Sequence, residues 1–342
     1  MSAPVVHGGN LDQAIARFGG ARTQWLDLST GINPSSYPIT PLTAACLAAL
    51  PESPERLERC ASVHYGVDSM ACLAVPGSQW AIEALASRFR GVPVLAPFPG
   101  YQEHEAAFLK QGTTVERYDG WLSDQALLEA FDRSSASLII VISPNNPTGR
   151  TYARATLIRL GDLARSRGGA VIVDQAFIDP YEDEAYLAPH HSGLITLRSF
   201  GKFFGLAGVR LGFVLGTDES LSSLRARRGP WAVSTAAIKA GTQALGDTRW
   251  VSVMRQTLAR WQREQDQLWQ DLLGQDTQAM YSTPLFTAYD MTATQANTWQ
   301  ARLADQHLWT RLWPIDESRA LLRIGRAHED ALGLLGSRLA KA

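Results

Sequence analysis

Several polar residues of this 342-residue sequence follow short apolar runs, at the points where the strands of a sheet should end. Asp174 closes one run, and the Ser-Phe-Gly-Lys segment that starts at Ser199 and contains Lys202 follows the next. Two turns, residues 77–79 and 144–149, follow two earlier runs. Ligands of open α/β sheets bind beyond the carboxyl ends of the strands, so these four elements are predicted to surround a single anionic ligand.

A lysine, a carboxylate and a Gly/Ser turn are together the groups that pyridoxal 5′-phosphate requires. The amine of Lys202 can form a Schiff base, and the carboxylate of Asp174 can keep a pyridine nitrogen protonated. Backbone N–H groups in a turn that opens a helix suit the phosphate. Each element alone also fits a structural role, since an Asn-Pro-Thr-Gly turn and a strand-end aspartate are common in proteins. Their joint occurrence favours the cofactor site.

The apolar runs also indicate the fold class. Short β-rich runs separated by helical stretches predict an α/β fold with a mainly parallel sheet, covered by helices on both faces. The predicted strands are residues 72–75, 92–96, 138–142, 170–173, 194–197 and 211–215.

The pattern changes after about Gly246. A long amphipathic helix is predicted there, with apolar positions at Trp250, Val253, Leu258, Trp261, Leu268, Trp269 and Leu272. Short strands near 285–289 and 321–324 and a final helix over 330–340 complete a smaller α+β domain. We therefore predict an N-terminal segment (1–40) packing on the small domain and the active site, a large cofactor-binding domain (41–245) and a small C-terminal domain (246–342).

Composition limits the functional classes. Hydrophobic residues make up 45% of the chain and charged residues 19%, which argues against disorder. The formal net charge of -1 provides no field that recruits nucleic acid or a membrane surface. The three cysteines are scattered, and no secretory signal is recognised, so a cytoplasmic protein with reduced thiols is expected. No P-loop, dinucleotide fingerprint or metal-ligand set is present in the sequence.

Three segments resemble the class I/II aminotransferases in order and spacing: Ser-Pro-Asn-Asn-Pro-Thr-Gly at 143–149, Val-Asp-Gln-Ala-Phe at 173–177 and Ser-Phe-Gly-Lys-Phe-Phe-Gly-Leu-Ala-Gly-Val-Arg at 199–210. The resemblance implies the aspartate-aminotransferase-like fold type I of pyridoxal-phosphate enzymes. It implies that Lys202 is the Schiff-base lysine, Asp174 the partner of the pyridine nitrogen and Asn146 the donor to the phenolic oxygen. The implied cofactor-binding residues are Gly77, Ser78, Gln79, Tyr101, Asn146, Asp174, Ser199, Lys202 and Arg210.

Further segments narrow the resemblance, chiefly His-Gly-Gly-Asn at 7–10 and Leu-Ser-Thr-Gly-Ile-Asn-Pro at 28–34. They look like the threonine-phosphate decarboxylases of cobalamin biosynthesis, which are relatives of histidinol-phosphate aminotransferases. This implies a cytoplasmic, homodimeric lyase that converts L-threonine O-3-phosphate to (R)-1-amino-2-propanol O-2-phosphate. A true aminotransferase acting on histidinol phosphate stays open as an alternative, as does a non-catalytic module with the same fold. Preference for threonine phosphate over serine phosphate also stays open.

The resemblance implies a substrate site near the two ends of the chain. Arg323 matches the arginine that binds the substrate carboxylate in the family, and Arg311 matches a second arginine in the branch with phosphorylated substrates. The substrate-binding residues that we predict are His7, Gly8, Gly9, Asn33, Arg311 and Arg323. Which arginine binds phosphate and which carboxylate is left open, and each could instead form a surface ion pair.

Two positions depart from the family pattern. Leu50 stands where relatives carry a tyrosine that reaches the cofactor phosphate of a neighbouring subunit, which leaves Tyr65 as a candidate replacement. Phe177 stands where many aminotransferases carry a tyrosine, so Asn146 alone would donate to the phenolic oxygen of the cofactor.

Overall fold

The computed structural model describes residues 7–67, 71–183 and 186–341. The helices within these ranges are α1 Leu11–Phe18, α2 Ala44–Ala48, α3 Glu55–Tyr65, α4 Ser78–Arg88, α5 Glu103–Lys110, α6 Asp124–Arg133, α7 Arg154–Ser166, α8 Phe200–Phe203, α9 Asp218–Arg228, α10 Thr235–Gly246, α11 Thr248–Leu273, α12 Ala293–Asp305 and α13 Leu332–Leu339. The strands are β1 Leu26–Asp27, β2 Cys72–Val75, β3 Val94–Phe98, β4 Val115–Asp119, β5 Leu138–Ile142, β6 Ala170–Asp174, β7 Leu194–Ser199, β8 Gly212–Leu215, β9 Ala279–Ser282, β10 Phe286–Thr292, β11 Leu308–Trp309, β12 Arg311–Pro314 and β13 Arg319–Gly325.

The larger of two compact units contains Ser36–Asn146 and Arg150–Val253. Its seven-stranded sheet has the order β2-β8-β7-β6-β5-β3-β4. β8 runs antiparallel to both of its neighbours, and the other pairs are parallel. The prediction of a mainly parallel sheet in an α/β fold is confirmed.

The central strands form because both of their faces are buried. β5 (Leu-Ile-Ile-Val-Ile) and β6 are buried at every position, as a continuous apolar run predicts. Side chains alternate between the faces: Ile140 and Ile172 pack in one cluster with residues of α4, whereas Val141 and Val173 pack in another with residues of α6 and α7. The carboxyl ends of these strands are therefore held rigidly at one edge of the sheet.

The sequence analysis missed β4. This strand pairs only with β3, at the edge of the sheet. Its sequence is Val-Glu-Arg-Tyr-Asp, and only Tyr118 is buried. An edge strand with one exposed face needs no apolar run, and its charged residues discourage pairing with other chains.

The smaller unit combines the chain up to Ser35, Pro147–Gly149 and the chain from Met254 onward. It contains a four-stranded antiparallel sheet of order β12-β13-β10-β9 and the parallel pair β1–β11. Relative to the predicted domain limits, the N-terminal boundary lies at 35/36 rather than 40/41, and the second lies at 253/254, inside α11, rather than 245/246.

The long helix α11 buries a stripe that includes Leu258, Trp261 and Trp269. Two of the apolar positions predicted for this helix lie outside the buried stripe, because Val253 is 55% exposed and Leu268 38% exposed. The stripe instead contains Gln265, whose amide donates to Ala327 O at 2.8 Å and accepts from Ala327 N at 2.9 Å. Among the described residues, no helix is both long and apolar enough to cross a bilayer.

Candidate active site

The larger unit contains a pocket of about 700 Å³ at the carboxyl ends of its strands. The four elements singled out from the sequence meet in this pocket, together with the turn that carries Tyr101. The predicted residues that line it are Gly77, Ser78, Gln79, Tyr101, Asn146, Asp174, Ser199, Lys202 and Arg210.

Lys202 supplies the amine of this pocket. It lies in the short helix α8, directly after β7, and its Nζ is 5.4 Å from the ring centroid of Phe177. The sequence contains three other lysines, Lys110, Lys239 and Lys341. None of these three lines the pocket, and each is exposed. Lys202 is therefore the candidate nucleophile among the four.

Asp174 closes β6 and is buried, with only 3% of its surface exposed. Its Oδ1 accepts from Ala176 N at 2.9 Å, and its Oδ2 lies 2.7 Å from Nε2 of His104. The two contacts fix the plane of the carboxylate, so its direction in the pocket is defined before any ligand binds.

His104 was missed as a site residue, although it belongs to the Tyr101 segment that the sequence analysis singled out. It is almost fully buried on α5, and its Nδ1 has no hydrogen-bond partner among the described residues. A protonated ring would bury two donors, whereas the neutral ring with its proton on Nε2 donates that proton to Asp174. In this tautomer the histidine donates to Asp174 and helps to fix the orientation of its carboxylate.

The N-terminus of α4 and Arg210 form an anion-binding corner. Gly77 precedes the helix with φ +86°, and a Cβ at this position would lie 2.9 Å from Nη2 of Arg210. The guanidinium is held by Nη1, which donates to Ala207 O at 3.1 Å. A helix N-terminus and an arginine at one point favour a bound phosphate.

The side chain of Gln79 is used to hold Tyr101. The Tyr101 hydroxyl donates to Gln79 Oε1 at 3.3 Å, and Gln79 Nε2 donates to Glu103 Oε2 at 3.0 Å. Burial, and then the charge of Glu103, raises the pKa of Tyr101 to about 12. The phenol therefore stays neutral and its ring stays in place at the pocket wall.

Asn146 lies in the turn after β5, and hydrogen bonds made by its neighbour Asn145 hold this turn in place. Asn145 Nδ2 donates to Pro99 O at 3.0 Å, and Asn145 N donates to Arg150 O at 2.8 Å. Asn146 lines the pocket, and Phe177 lines it without offering a hydroxyl group.

Tyr65 is not placed to replace the tyrosine that is missing at position 50. Its hydroxyl is buried, and the guanidinium of Arg198 lies 4.8 Å from its ring centroid. Burial, and then the charge of Asp179, raises the pKa of Tyr65 well above its ordinary value. Leu50, in contrast, is 67% exposed. The candidate replacement is therefore wrong, because the hydroxyl faces the interior of its own unit.

The smaller unit contains a second cationic site. Arg311 and Arg323 are directly opposite in the register of β12 and β13. Arg323 is buried, and Nη2 donates to Ser29 O. Burial, and then the charge of Arg311, lowers the pKa of Arg323, and the nearby Asp27 opposes this shift. Burial also lowers the pKa of Arg311. An anion bound between two such groups would relieve their repulsion.

The predicted N-terminal substrate residues lie in the same unit. Gly9 N donates to Ser29 Oγ at 2.7 Å, and a Cβ at Gly8 would lie 2.2 Å from Ser29 O. His7 is exposed, and Asn33 is buried with its Oδ1 accepting from Ser35 N at 2.9 Å. Ser29 thus connects Gly8 and Gly9 to Arg323, a role that the sequence analysis did not assign.

Residues 51–332 match the model of the family "Aminotransferase class I and II", and the chain belongs to this family. Within the family, it is similar to threonine-phosphate decarboxylase from Sinorhizobium sp, with 37% identity over 97% of this chain and 96% of the relative. It is 40% identical to threonine-phosphate decarboxylase from Pseudomonas aeruginosa, over 70% of this chain and 71% of the relative.

Among solved structures, histidinol-phosphate aminotransferase from Sinorhizobium meliloti in complex with pyridoxal-5′-phosphate superposes with a TM-score of 0.79. The match covers 99% of this chain and 94% of that chain at 20% identity. It shows that the fold is that of this enzyme, and the predicted aminotransferase-like fold is confirmed.

Proposed function

We propose that this chain decarboxylates L-threonine O-3-phosphate to (R)-1-amino-2-propanol O-2-phosphate, with pyridoxal phosphate as cofactor, in cobalamin biosynthesis. The observation that carries the substrate assignment is the cross-strand pair of Arg311 and Arg323. A phosphorylated amino acid carries two anionic groups, and guanidinium groups bind both phosphate and carboxylate. The relatives at 37% and 40% identity are named for this activity.

The pocket of the larger unit fits the cofactor group by group. Bound pyridoxal phosphate supplies an electron-withdrawing ring that stabilises negative charge at the α-carbon of the substrate. Lys202 would supply the amine that attaches the cofactor, and the carboxylate of Asp174, in the same pocket, would pair with the ring nitrogen. The absence of a side chain at Gly77 keeps the space beside Arg210 open for a phosphate. Ser78, Gln79 and Ser199, which also line the pocket, would hold the phosphate together with Arg210.

The chain's own residues then decide which bond at the α-carbon breaks. With the cofactor bound, the bond held perpendicular to its ring would be the one that breaks. If Arg311 and Arg323 bind the substrate phosphate, the carboxylate is left free to turn out of the ring plane. With the cofactor bound, the bond between the α-carbon and the carboxylate would break, its electron pair would stay on the α-carbon as CO2 leaves, and a proton from solvent would then add to that carbon. An aminotransferase instead holds the carboxylate in the plane and presents the Cα–H bond to the lysine.

We also propose that the active protein is a cytoplasmic homodimer. Six large apolar side chains of the described part of the larger unit are exposed, namely Leu47, Leu50, Val63, Leu109, Trp231 and Val253. Apolar side chains mark a protein interface where they form one contiguous patch, and the dimer proposal requires that some of these residues do so. Sedimentation at the mass of a single 37.4 kDa chain would contradict the dimer.

The decisive test is to incubate the cofactor-loaded protein with L-threonine O-3-phosphate, and to measure CO2 and aminopropanol phosphate. The expected result is that CO2 and aminopropanol phosphate form in equal amounts over many turnovers. An aminotransferase would convert its cofactor to pyridoxamine phosphate once, without releasing CO2. Serine phosphate is the comparison substrate, since a methyl group is worth about 1–3 kcal/mol of discrimination. A purified protein that fails to bind pyridoxal phosphate would favour the non-catalytic alternative.

A further inference from the structure

Ser29 connects three separate parts of the smaller unit. Its Oγ accepts from Gly9 N at 2.7 Å and donates to Asp27 Oδ1 at 2.6 Å. Its carbonyl oxygen accepts from Nη2 of Arg323. The residue is fully buried. One serine therefore binds an N-terminal residue through its side chain and a C-terminal arginine through its backbone.

The segment that carries Ser29 is held firmly. β1 pairs with β11, and Leu28 N donates to Trp309 O at 2.8 Å. Asp27 Oδ1 also accepts from Ser29 N at 2.9 Å, which closes a tight turn over residues 27–29. On the other side, Gly325 N donates to Leu28 O at 2.7 Å, which places the end of β13 against the same segment.

The N-terminal residues contact Ser29 too closely to allow a side chain. A Cβ at Gly8 would lie 2.2 Å from Ser29 O, the oxygen that also accepts from Arg323. Gly9 has φ +82°, a conformation that residues with a Cβ rarely adopt. Gly8 and Gly9 therefore reach their place only because both lack side chains, and Ser29 Oγ holds them there.

We infer that Ser29 is a positioning residue that assembles the anion-binding site of the smaller unit. Its hydroxyl holds the Gly8–Gly9 backbone, and its carbonyl orients the guanidinium of Arg323, so both halves are placed by one residue. The ligand class is a phosphorylated amino acid, and this assignment rests on the proposed function. Asp27 supports the arrangement, because its carboxylate receives the Ser29 hydroxyl and its charge favours the protonated Arg323.

The test compares Ser29→Ala with a matched serine. Ser318 makes the same two contacts to an aspartate two residues earlier, through N at 2.7 Å and Oγ at 2.8 Å to Asp316 Oδ1. It belongs to the same unit and is exposed. Ser29→Ala should raise KM for threonine phosphate about 10-fold, which corresponds to about 1.4 kcal/mol, with a smaller change in kcat. Ser318→Ala should change neither value by more than about twofold.

Two further measurements separate positioning from a general structural role. Hydrogen exchange at Gly9 should accelerate in Ser29→Ala but not in Ser318→Ala, because the amide loses its acceptor. Gly8→Ala, whose Cβ would press against Ser29 O, displaces the N-terminal segment from Ser29 by a different contact; it should reproduce the rise in KM, and it serves as the test if Ser29→Ala does not fold. Equal losses for threonine phosphate and unphosphorylated L-threonine, or an unchanged KM in both variants, would overturn the inference.

Failure of the proposed function would be recognised separately. If the wild-type protein releases no CO2 from threonine phosphate, the reaction assignment fails, whereas the role of Ser29 is still measured with inorganic phosphate. Phosphate should protect the Gly9 amide from exchange in the wild-type protein. The same degree of protection in Ser29→Ala should require about 10-fold more phosphate. Equal phosphate protection in both proteins would overturn the inference even if decarboxylation were established.

Discussion

Replacing Asp174 by asparagine tests whether a negative charge is required at the base of the pocket. The carboxylate accepts from Ala176 N at 2.9 Å and from His104 Nε2 at 2.7 Å. Asparagine can keep the first contact through its oxygen, but its amide then faces the histidine nitrogen. His104 must move its proton to Nδ1, which is buried without a partner among the described residues. An unsatisfied buried donor costs about 1–3 kcal/mol, so a modest loss of stability is expected.

The loss of turnover in Asp174→Asn should be larger than the fraction of unfolded protein alone would cause. A hydrogen bond to a charged group contributes about 1.5–3 kcal/mol, which corresponds to about a 10- to 150-fold decrease in kcat if the ring nitrogen loses its ionic partner. Cofactor content is read from absorbance and turnover from CO2 release, so binding and catalysis are separated. Asp179→Asn is the matched control, since this buried aspartate pairs with Arg198 at 3.1 Å and does not line the pocket.

Two results would refute this reasoning. Turnover of Asp174→Asn within about twofold of the wild-type value would show that no charge is needed at this position. An equal loss of turnover per folded molecule in Asp179→Asn would show that removing any buried carboxylate impairs the enzyme.

The remaining predictions concern single groups. Borohydride reduction of the loaded protein, followed by peptide mapping, should place the cofactor on Lys202; a label on another lysine would move the site. Arg311→Ala should lower kcat/KM for threonine phosphate about 10- to 150-fold and lower kcat/KM for unphosphorylated threonine far less. Equal losses for both substrates would mean that Arg311 binds the carboxylate or only stabilises the fold. Hydrogen bonds from Lys239 (Nζ at 3.0 Å) and Thr43 lower the pKa of Cys46 to about 7. The alkylation rate of Cys46 should therefore rise between pH 6 and 8, and in Lys239→Gln this rise should move to higher pH.

Much of the large unit could be predicted from local sequence, because its central strands are buried on both faces. A strand such as β5 must then be apolar at every position, and the polar residue that ends the run is easily recognised. The residues predicted at the strand ends, among them Asn146, Asp174 and Lys202, therefore line one pocket. The edge strand β4 has one exposed face, so no apolar run marked it.

The sequence by itself determined which residue types could do chemistry, and the tertiary structure decided which of them meet. His104 and Asp174 are 70 residues apart, and only the tertiary structure brings Nε2 of His104, at the start of α5, within 2.7 Å of the carboxylate at the end of β6. Tyr65 carries a suitable hydroxyl, but the orientation of α3 turns it into the interior beside Arg198. Ser29 bonds Arg323 across 294 positions. Such contacts depend on how distant elements pack, and local propensity and periodicity contain no information about that packing.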